Sequence, residues 1–387
     1  MILNLTINYH LSTINYQLST IKVKGENLML DKEKVVVAMS GGVDSSLTAA
    51  LLKEQGYEVI GITMKIWPES ENPPENEGGC CSLSAVEDAR RVANQLEIPF
   101  YVINFQDVFE ERVISNFKEE YSKARTPNPC IVCNRDIKFR SFLKKAHELG
   151  AYYMATGHYA KIERNQQGRH LLKKGKDDNK DQSYTLYNLT QKQLEHTLLP
   201  LADYQKNETR KLAKEYGLKV YDKPDSQEIC FIPDDDYNRF LNENYPQIIE
   251  AGPIYDLEGN KLGEHKGLPF YTIGQRKGLN LETHKKWYVV ELDPERNAVI
   301  VGDNEDVFAK ELIAEDLNWI AIDKLKEPKE VKAKIRYNSP AVKAVIHPLA
   351  EGNVKVSFAK KQRAITPGQS VVFYDNDIVV GGGIIKE

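Results

Sequence analysis

From Lys34 to His158 the chain alternates short apolar, β-branched runs with segments whose apolar residues recur at helical spacing. VVVAM (Val35–Met39) reads as a strand. Asp44–Gln55 reads as a helix with Leu47, Ala50 and Leu51 on one face. YEVIGITMKIW, PFYVINF and AYYMATGH are further strands, separated by helical stretches at 83–96, 106–121 and 136–149. Such a β-α-β-α order predicts a parallel sheet covered on both faces, with ligands bound at the carboxyl ends of its strands. PESENPPENEGG (68–79) interrupts the order as an exposed loop.

The texture changes near Pro233. DDDYNRFLNEN suggests a short acidic helix, followed by Gly- and Pro-punctuated β segments through VVELDPERNAVIVG. From Asp306 onward the chain reads as all β. VKAKIRY alternates Val331, Ala333, Ile335 and Tyr337 with Lys332, Lys334 and Arg336, predicting a strand with one apolar and one cationic face. VVFYDNDIVVGGGII predicts a closing hairpin that turns at Asp375–Asp377. The expected domains are therefore an α/β unit over 31–233, a small α+β or β unit over 234–305 and a C-terminal β-barrel over 306–387. Residues 1–30 are expected to be a disordered or non-native extension. TINYHLS (6–12) is repeated at once as TINYQLS (13–19), with none of the features of a secretory signal, and Met29 is the expected native start.

Composition changes this picture in two places. A formal charge of −4 excludes a wholly basic nucleic-acid binder, yet residues 324–363 hold eleven Lys or Arg against three acids. That run suits either a solvated face or a polyanion-binding one. Five cysteines in 387 residues make no disulfide scaffold, and the odd count fits a reducing cytoplasm. No apolar stretch has the length of a membrane span.

Directly after the first strand comes SGGVDSS, leading into a helix. Two glycines let backbone approach a phosphate closely, Ser40, Ser45 and Ser46 add donors, and the helix N-terminus favours an anion. No Lys follows as in a Walker A loop, and the G-x-G-x-x-G of dinucleotide binders is absent. The plainer alternative is a Gly-Gly turn with Asp44 and the serines capping the helix.

TPNPCIVCN places Cys130 and Cys133 three apart, and Asn128-Pro129 before them suggests a loop. A structural zinc site lacks its second ligand pair here, and a thioredoxin-type motif would open a helix after a strand. Cys80-Cys81 reads as small buried residues at the start of a helix.

S-G-G-x-D-S after a first strand resembles the pyrophosphate loop of the ATP pyrophosphatases, which cleave ATP between its α- and β-phosphates. AMSGGVDSS, GITMKIW, ARTPNPCIVCNRDIKF, TGHYA, KDQSY, DSQEICFIP, TIGQRKGL and KIRYNSP occur in one order. Together they are similar to the bacterial tRNA-specific 2-thiouridylases, which replace O2 of the wobble uridine with sulfur. The resemblance implies an adenine-nucleotide α-hydrolase-like sheet domain and a monomer.

It also implies roles. ATP falls on Ala38, Met39, Ser40, Gly41, Gly42, Val43, Asp44, Ser45, Met64 and Gly157, with Met64 offering backbone to adenine. Mg²⁺ is implied because Asp44 would not face phosphates without a cation. Cys133 matches the nucleophile and Cys230 the persulfide carrier, ending as a disulfide pair. Asn128, Pro129 and Cys130 match the surroundings of the target base, and Lys180, Asp181, Gln182, Arg336 and Tyr337 match other tRNA contacts. The sulfur donor would be a cysteine desulfurase or a relay protein. Many family members carry aspartate where this chain has Cys130, at a position given a proton-transfer role. Cys130, Cys133 and Cys230 could instead hold an iron–sulfur cluster, the alternative reading; no other metal site is expected.

Overall fold

The computed structural model describes residues 19–23, 26–66, 83–225, 229–232, 236–282 and 285–386. The duplicated heptad (apart from Ser19), the loop 68–79 and Cys80-Cys81 lie outside the described residues. Strand β1 (Ser19–Val23) pairs antiparallel with the first part of β2 (Glu26–Ala38). β3 (Glu58–Lys65), β4 (Phe100–Asn104) and β5 (Ala151–Ala155) join β2 in a parallel sheet of order β4-β3-β2-β5. Val35, Val36 and Val37 are fully buried at its centre. That is why the β2 text is a continuous apolar run: helices cover both faces, so no residue alternates toward water. Helices α1 (Val43–Glu54) and α2 (Leu83–Gln95) follow β2 and precede β4, as the alternation predicts.

β6 (Ala160–Arg164) and β7 (His170–Lys174) form a hairpin that leaves the parallel sheet, while β8 (Thr197–Leu198) returns to it beside β5. β9 (Gly252–Tyr255), β10 (Lys261–His265), β11 (Tyr288–Asp293) and β12 (Ala298–Gly302) make the middle sheet, with its own core around Ile254, Val289, Val299 and Val301.

The C-terminal unit is a closed barrel. β13 (Phe308–Trp319), β14 (Lys329–Lys334), β15 (Val342–Pro348), β16 (Val354–Arg363), β17 (Ser370–Asp375) and β18 (Ile378–Ile385) run in the order β13-β16-β15-β14-β17-β18, and β13 pairs with β18. The hairpin β6–β7 adds to β18 through Ile378 and Lys173, tying the first domain to the barrel. The turn between β17 and β18 has Asn376 in the left-handed region at φ 55°, which Asn tolerates.

β14 corrects one expectation. Val331, Ala333 and Ile335 are buried as the alternation requires, but the strand ends at Lys334 and Tyr337 does not continue its apolar face. Arg336 and Ser339 close a turn there: the Ser339 N–H donates to the Arg336 carbonyl at 3.1 Å, and Ser339 Oγ accepts from the Arg336 N–H at 3.2 Å.

Candidate active site

The strand order places the glycine-rich loop where a ligand belongs. The chain adds β3 and β4 on one side of β2 and then crosses to its other side with β5. The connections diverge at the carboxyl end of β2, which is the crevice where open α/β sheets bind ligands. Met39, Ser40, Gly41 and Gly42 occupy that end. Gly41 sits at φ 71°, and a Cβ there would lie 2.1 Å from the Ala85 carbonyl oxygen, so glycine is required twice over. Gly42 is the cap residue of α1, whose first turn carries Val43, Asp44 and Ser45. Ser45 Oγ closes the loop: it accepts from the Ser40 N–H at 3.1 Å and donates to the Gly42 carbonyl at 3.2 Å. Ala38 and Met39 are buried beneath, with Thr63 Oγ1 donating to the Met39 carbonyl at 2.7 Å. Met64 follows on β3, next to the central strand.

Gly157 backs the loop from the turn after β5. A side chain there would meet Asp44 at 2.8 Å and the Ser45 nitrogen at 2.9 Å. Beside it, burial and then the charge of Lys138 hold the buried His158 imidazole well below its ordinary range, so it is neutral.

The cysteine motif is not in a loop, contrary to the reading of Asn128-Pro129. Asn128 caps a helix, Pro129–Val132, by accepting the Ile131 N–H on its side-chain oxygen at 3.3 Å, and Pro129 fills the first helical position. Both residues are ordinary helix starters in those places. The helix passes at Cys133 into a π-wound stretch, Cys133–Phe142, and continues as Leu143–Glu148. Wide π turns concentrate at functional sites. Cys130 is exposed on the first turn and Cys133 is buried. Asp136, also buried, is held by Arg135 at 2.8 Å and Arg140 at 3.0 Å. Cys230 is half-buried and packs against the same apolar cluster that contains Cys133. Its neighbour Phe231 anchors it there, with ring centroids 5.4 Å from Phe117 and 5.5 Å from Phe240.

The barrel grips the segment just before this helix. Arg125 bonds Glu120 and, at 2.8 Å, Glu315 of β13. The Thr126 N–H donates to the Pro367 carbonyl at 2.9 Å, and Gln369 Nε2 donates to the carbonyls of Thr126 and Pro127 at 3.0 and 3.2 Å.

The residues matched to tRNA fall into two environments. Arg336 and Tyr337 stand half-buried at the end of β14. Arg336 donates to the Ala364 carbonyl and, at 2.8 Å, to that of Arg363. Tyr337 meets Tyr184 edge-on at 6.1 Å, and the Lys334 ammonium sits over both rings at 5.4 and 5.7 Å. Burial and then the neighbouring Arg363 charge push the Arg336 guanidinium down. By contrast, Asp181 and Gln182 face inward. Asp181 accepts from the N–H groups of Gly175 and Ser183 and from Ser183 Oγ, and Gln182 accepts from the Tyr159 N–H at 2.9 Å. Lys180 pairs with Asp225 at 2.7 Å.

Sequence reasoning missed Lys206, Asp225, Tyr159 and Lys223, which surround the loop. Tyr159 Oη donates to Asp44 at 2.7 Å, Lys206 Nζ bonds both Asp44 oxygens at 2.7 Å, and Lys223 Nζ donates to the Gly41 carbonyl at 3.1 Å. Tyr159, in TGHYA two residues after Gly157, and Asp225, the first residue of DSQEICFIP, carried a signal, while Lys206 and Lys223 carried none.

A parallel sheet with a glycine-rich loop at its switch point, and a cysteine-bearing helix whose lead-in the barrel holds, give the chain the frame of a HUP-domain protein. Residues 33–234 match the tRNA methyl transferase HUP domain, 238–303 its PRC-barrel domain and 309–385 the aminomethyltransferase beta-barrel domain. The tRNA-specific 2-thiouridylase MnmA of Halothermothrix orenii is 63% identical over 92% of this chain and 99% of its own length. That of Clostridioides difficile is 58% identical over 93% of this chain and 99% of its own. The chain belongs to the tRNA-specific 2-thiouridylase family.

Proposed function

We infer that this protein is an ATP-dependent tRNA sulfurtransferase that thiolates C2 of the wobble uridine. The observation that carries this is the shared frame of loop and thiols: the anion loop and the Cys133 helix belong to one domain, and the barrel bonds the backbone leading into that helix. The chemistry needs both parts. A uridine carbonyl oxygen does not leave as oxide. Attack of O2 on the α-phosphorus expels pyrophosphate and leaves C2 bonded to AMP, a competent leaving group. The terminal sulfur of a Cys230 persulfide attacks C2 and AMP departs, leaving Cys230–S–S–C2. The Cys133 thiolate then attacks the Cys230 sulfur, the S–S bond breaks toward C2, and 2-thiouridine leaves behind a Cys133–Cys230 disulfide. A cellular thiol reduces the disulfide, and a cysteine desulfurase or relay protein reloads the sulfane sulfur.

Asp44 with the hydroxyls of Ser40 and Ser45 is an oxygen donor set that suits Mg²⁺, which takes one or two carboxylates together with substrate phosphates. Bound there, the ion would neutralise phosphate charge. For a cluster the fit is poorer. Among the described residues no group of three His, Cys, Asp or Glu side chains is placed to hold a metal ion. Cys130, exposed beside the target-base residues, takes the proton-handling place that aspartate fills elsewhere. Asn128 shapes its helix, while Arg336, Tyr337 and Lys334 offer the tRNA a phosphate contact and a stacking face. No helix among the described residues is long and apolar enough to cross a membrane.

The test is mass analysis of tRNA nucleosides after incubation with the protein, ATP, cysteine and a cysteine desulfurase. 2-Thiouridine forming at the wobble position only with ATP is the expected result. An unmodified tRNA with ATP turned over would overturn the reading.

A further inference from the structure

Residues 38–46, the anion loop and the start of α1, contain no Lys or Arg. A loop that expels pyrophosphate needs cationic help, and the fold brings it from a distant segment. Lys206, at the start of the helix Lys206–Glu215, places its ammonium 2.7 Å from both oxygens of Asp44 and 2.9 Å from Asp225. The ammonium also lies 5.7 Å from the centre of the Tyr159 ring. Only 12% of the Lys206 side chain is exposed, against 31% for Asp44, so the lysine is the inner partner of the pair.

Asp225 is the fixed end of this arrangement. It also accepts from Lys180 at 2.7 Å and Arg210 at 2.9 Å. Burial pushes its carboxyl up, but the bonds and charges of Lys180 and Lys206 outweigh that and hold it at about 2. Lys223 plays a different part: its ammonium bonds the Gly41 carbonyl at 3.1 Å and Asp88 at 2.6 Å, which ties the loop backbone to α2.

We propose that Lys206 is a phosphate-binding residue of this site, held between Asp44 and Asp225 while no nucleotide is bound and transferred to the nucleotide phosphates when a divalent cation takes Asp44. The exchange follows from charge. Asp44 cannot face both a polyphosphate and an ammonium it fully neutralises, and a cation at Asp44 repels Lys206 toward the anion. Asp225, kept ionised by two other cations, retains the lysine stem near the loop throughout. The inference rests on the ATP reading of the loop.

The experiment compares wild type, Lys206→Met, Lys206→Arg and Asp225→Asn in the full chain. Calorimetry with ATP, and separately with pyrophosphate, in Mg²⁺ gives phosphate affinity. Mn²⁺ titration without nucleotide, read by electron paramagnetic resonance, gives access to Asp44. Lys206→Met is expected to weaken ATP and pyrophosphate about 10- to 100-fold, the worth of one charge-assisted bond, while tightening nucleotide-free Mn²⁺ binding several-fold. Lys206→Arg should recover part of the phosphate affinity. Asp225→Asn, which leaves the lysine in place but loosens it, should move both readouts in the same directions by less. Unchanged ATP and Mn²⁺ binding in a folded Lys206→Met variant would overturn the proposal while leaving the ATP reading intact. A wild type that binds neither ATP nor pyrophosphate would overturn the ATP reading and this inference with it.

Discussion

Gly157→Ala isolates the role of the turn behind the anion loop. The backbone of Gly157 lies outside the left-handed region, so alanine is conformationally allowed and only contact matters. The new methyl would sit 2.8 Å from the carbonyl carbon and Cβ of Asp44 and 2.9 Å from the Ser45 nitrogen. Ordinary contact begins near 3.4 Å, so turn and loop must part by about 0.6 Å. Neither side can yield as a flexible chain would, because the obstacle is the first turn of α1 and Ser45 Oγ already bonds Ser40 and Gly42. Overpacking of this kind costs about 1–3 kcal/mol. For a domain of this size that lowers the melting temperature by only a few degrees, roughly 2–4 °C per kcal/mol. The functional cost is larger in proportion. A displacement approaching 1 Å at a reacting centre costs about 100-fold, so ATP affinity or tRNA-dependent AMP formation should fall about 10- to 100-fold. Calorimetric ATP titration beside differential scanning calorimetry measures both. A Gly157→Ala protein that binds ATP as tightly as wild type would show that the turn does not set the loop, and the geometry argued for the site would fail.

Four further outcomes follow from the same structure. Cys133→Ser should abolish 2-thiouridine while AMP still forms in the first turnover, and Cys230→Ser should abolish both 2-thiouridine and AMP while tRNA-dependent pyrophosphate release persists, measured by rapid quench; loss of pyrophosphate release in both variants would mean the thiols serve the fold. Cys130→Asp should retain thiolation and Cys130→Ala lose at least about tenfold in rate, read from single-turnover nucleoside analysis. Arg125→Ala, which removes the bonds to Glu120 and Glu315, should cost about 1–3 kcal/mol by denaturant unfolding and slow sulfur transfer more than ATP binding. Acid should destabilise the protein through the packed pair His147 and His196, whose rings lie 4.7 Å apart. Burial and the His196 charge hold His147 at about 4, and burial lowers His196, so both are neutral in the fold. Their stabilisation is complete above the unfolded value near 6.5 and is lost as pH falls toward 4, by about 1.4 kcal/mol per pH unit for His147; melting temperatures from pH 7.5 to 4.5 should flatten in His147→Gln.

What the residue pattern revealed was local. The β2 run, the Gly-Gly loop and α1 lie within twenty consecutive residues, where periodicity and glycine placement speak directly. The cysteine motif shows how one assumption misleads: Asn128-Pro129 is as much a helix start as a loop signal, and only the Ile131 N–H on Asn128 decides between them. Lys206 and Lys223 were invisible because single lysines carry no pattern, and Asp44, the partner of Lys206, is more than 160 positions from it. The grip of Gln369 on Thr126 and Pro127 spans still more of the chain. The hairpin β6–β7 was hidden for another reason. Its polar text, KIERNQQGRHLLKK, reads as a surface turn, and its strands gain meaning only when β7 finds the edge of β18.

The claim on which the rest depends is that AMP carries off the uridine oxygen. It is tested most directly with tRNA bearing ¹⁸O at O2 of the wobble uridine, one turnover of the enzyme and mass analysis of the nucleotide released. The account predicts one ¹⁸O in the phosphate of AMP for each 2-thiouridine formed; label appearing in water, with AMP unlabelled, would contradict it.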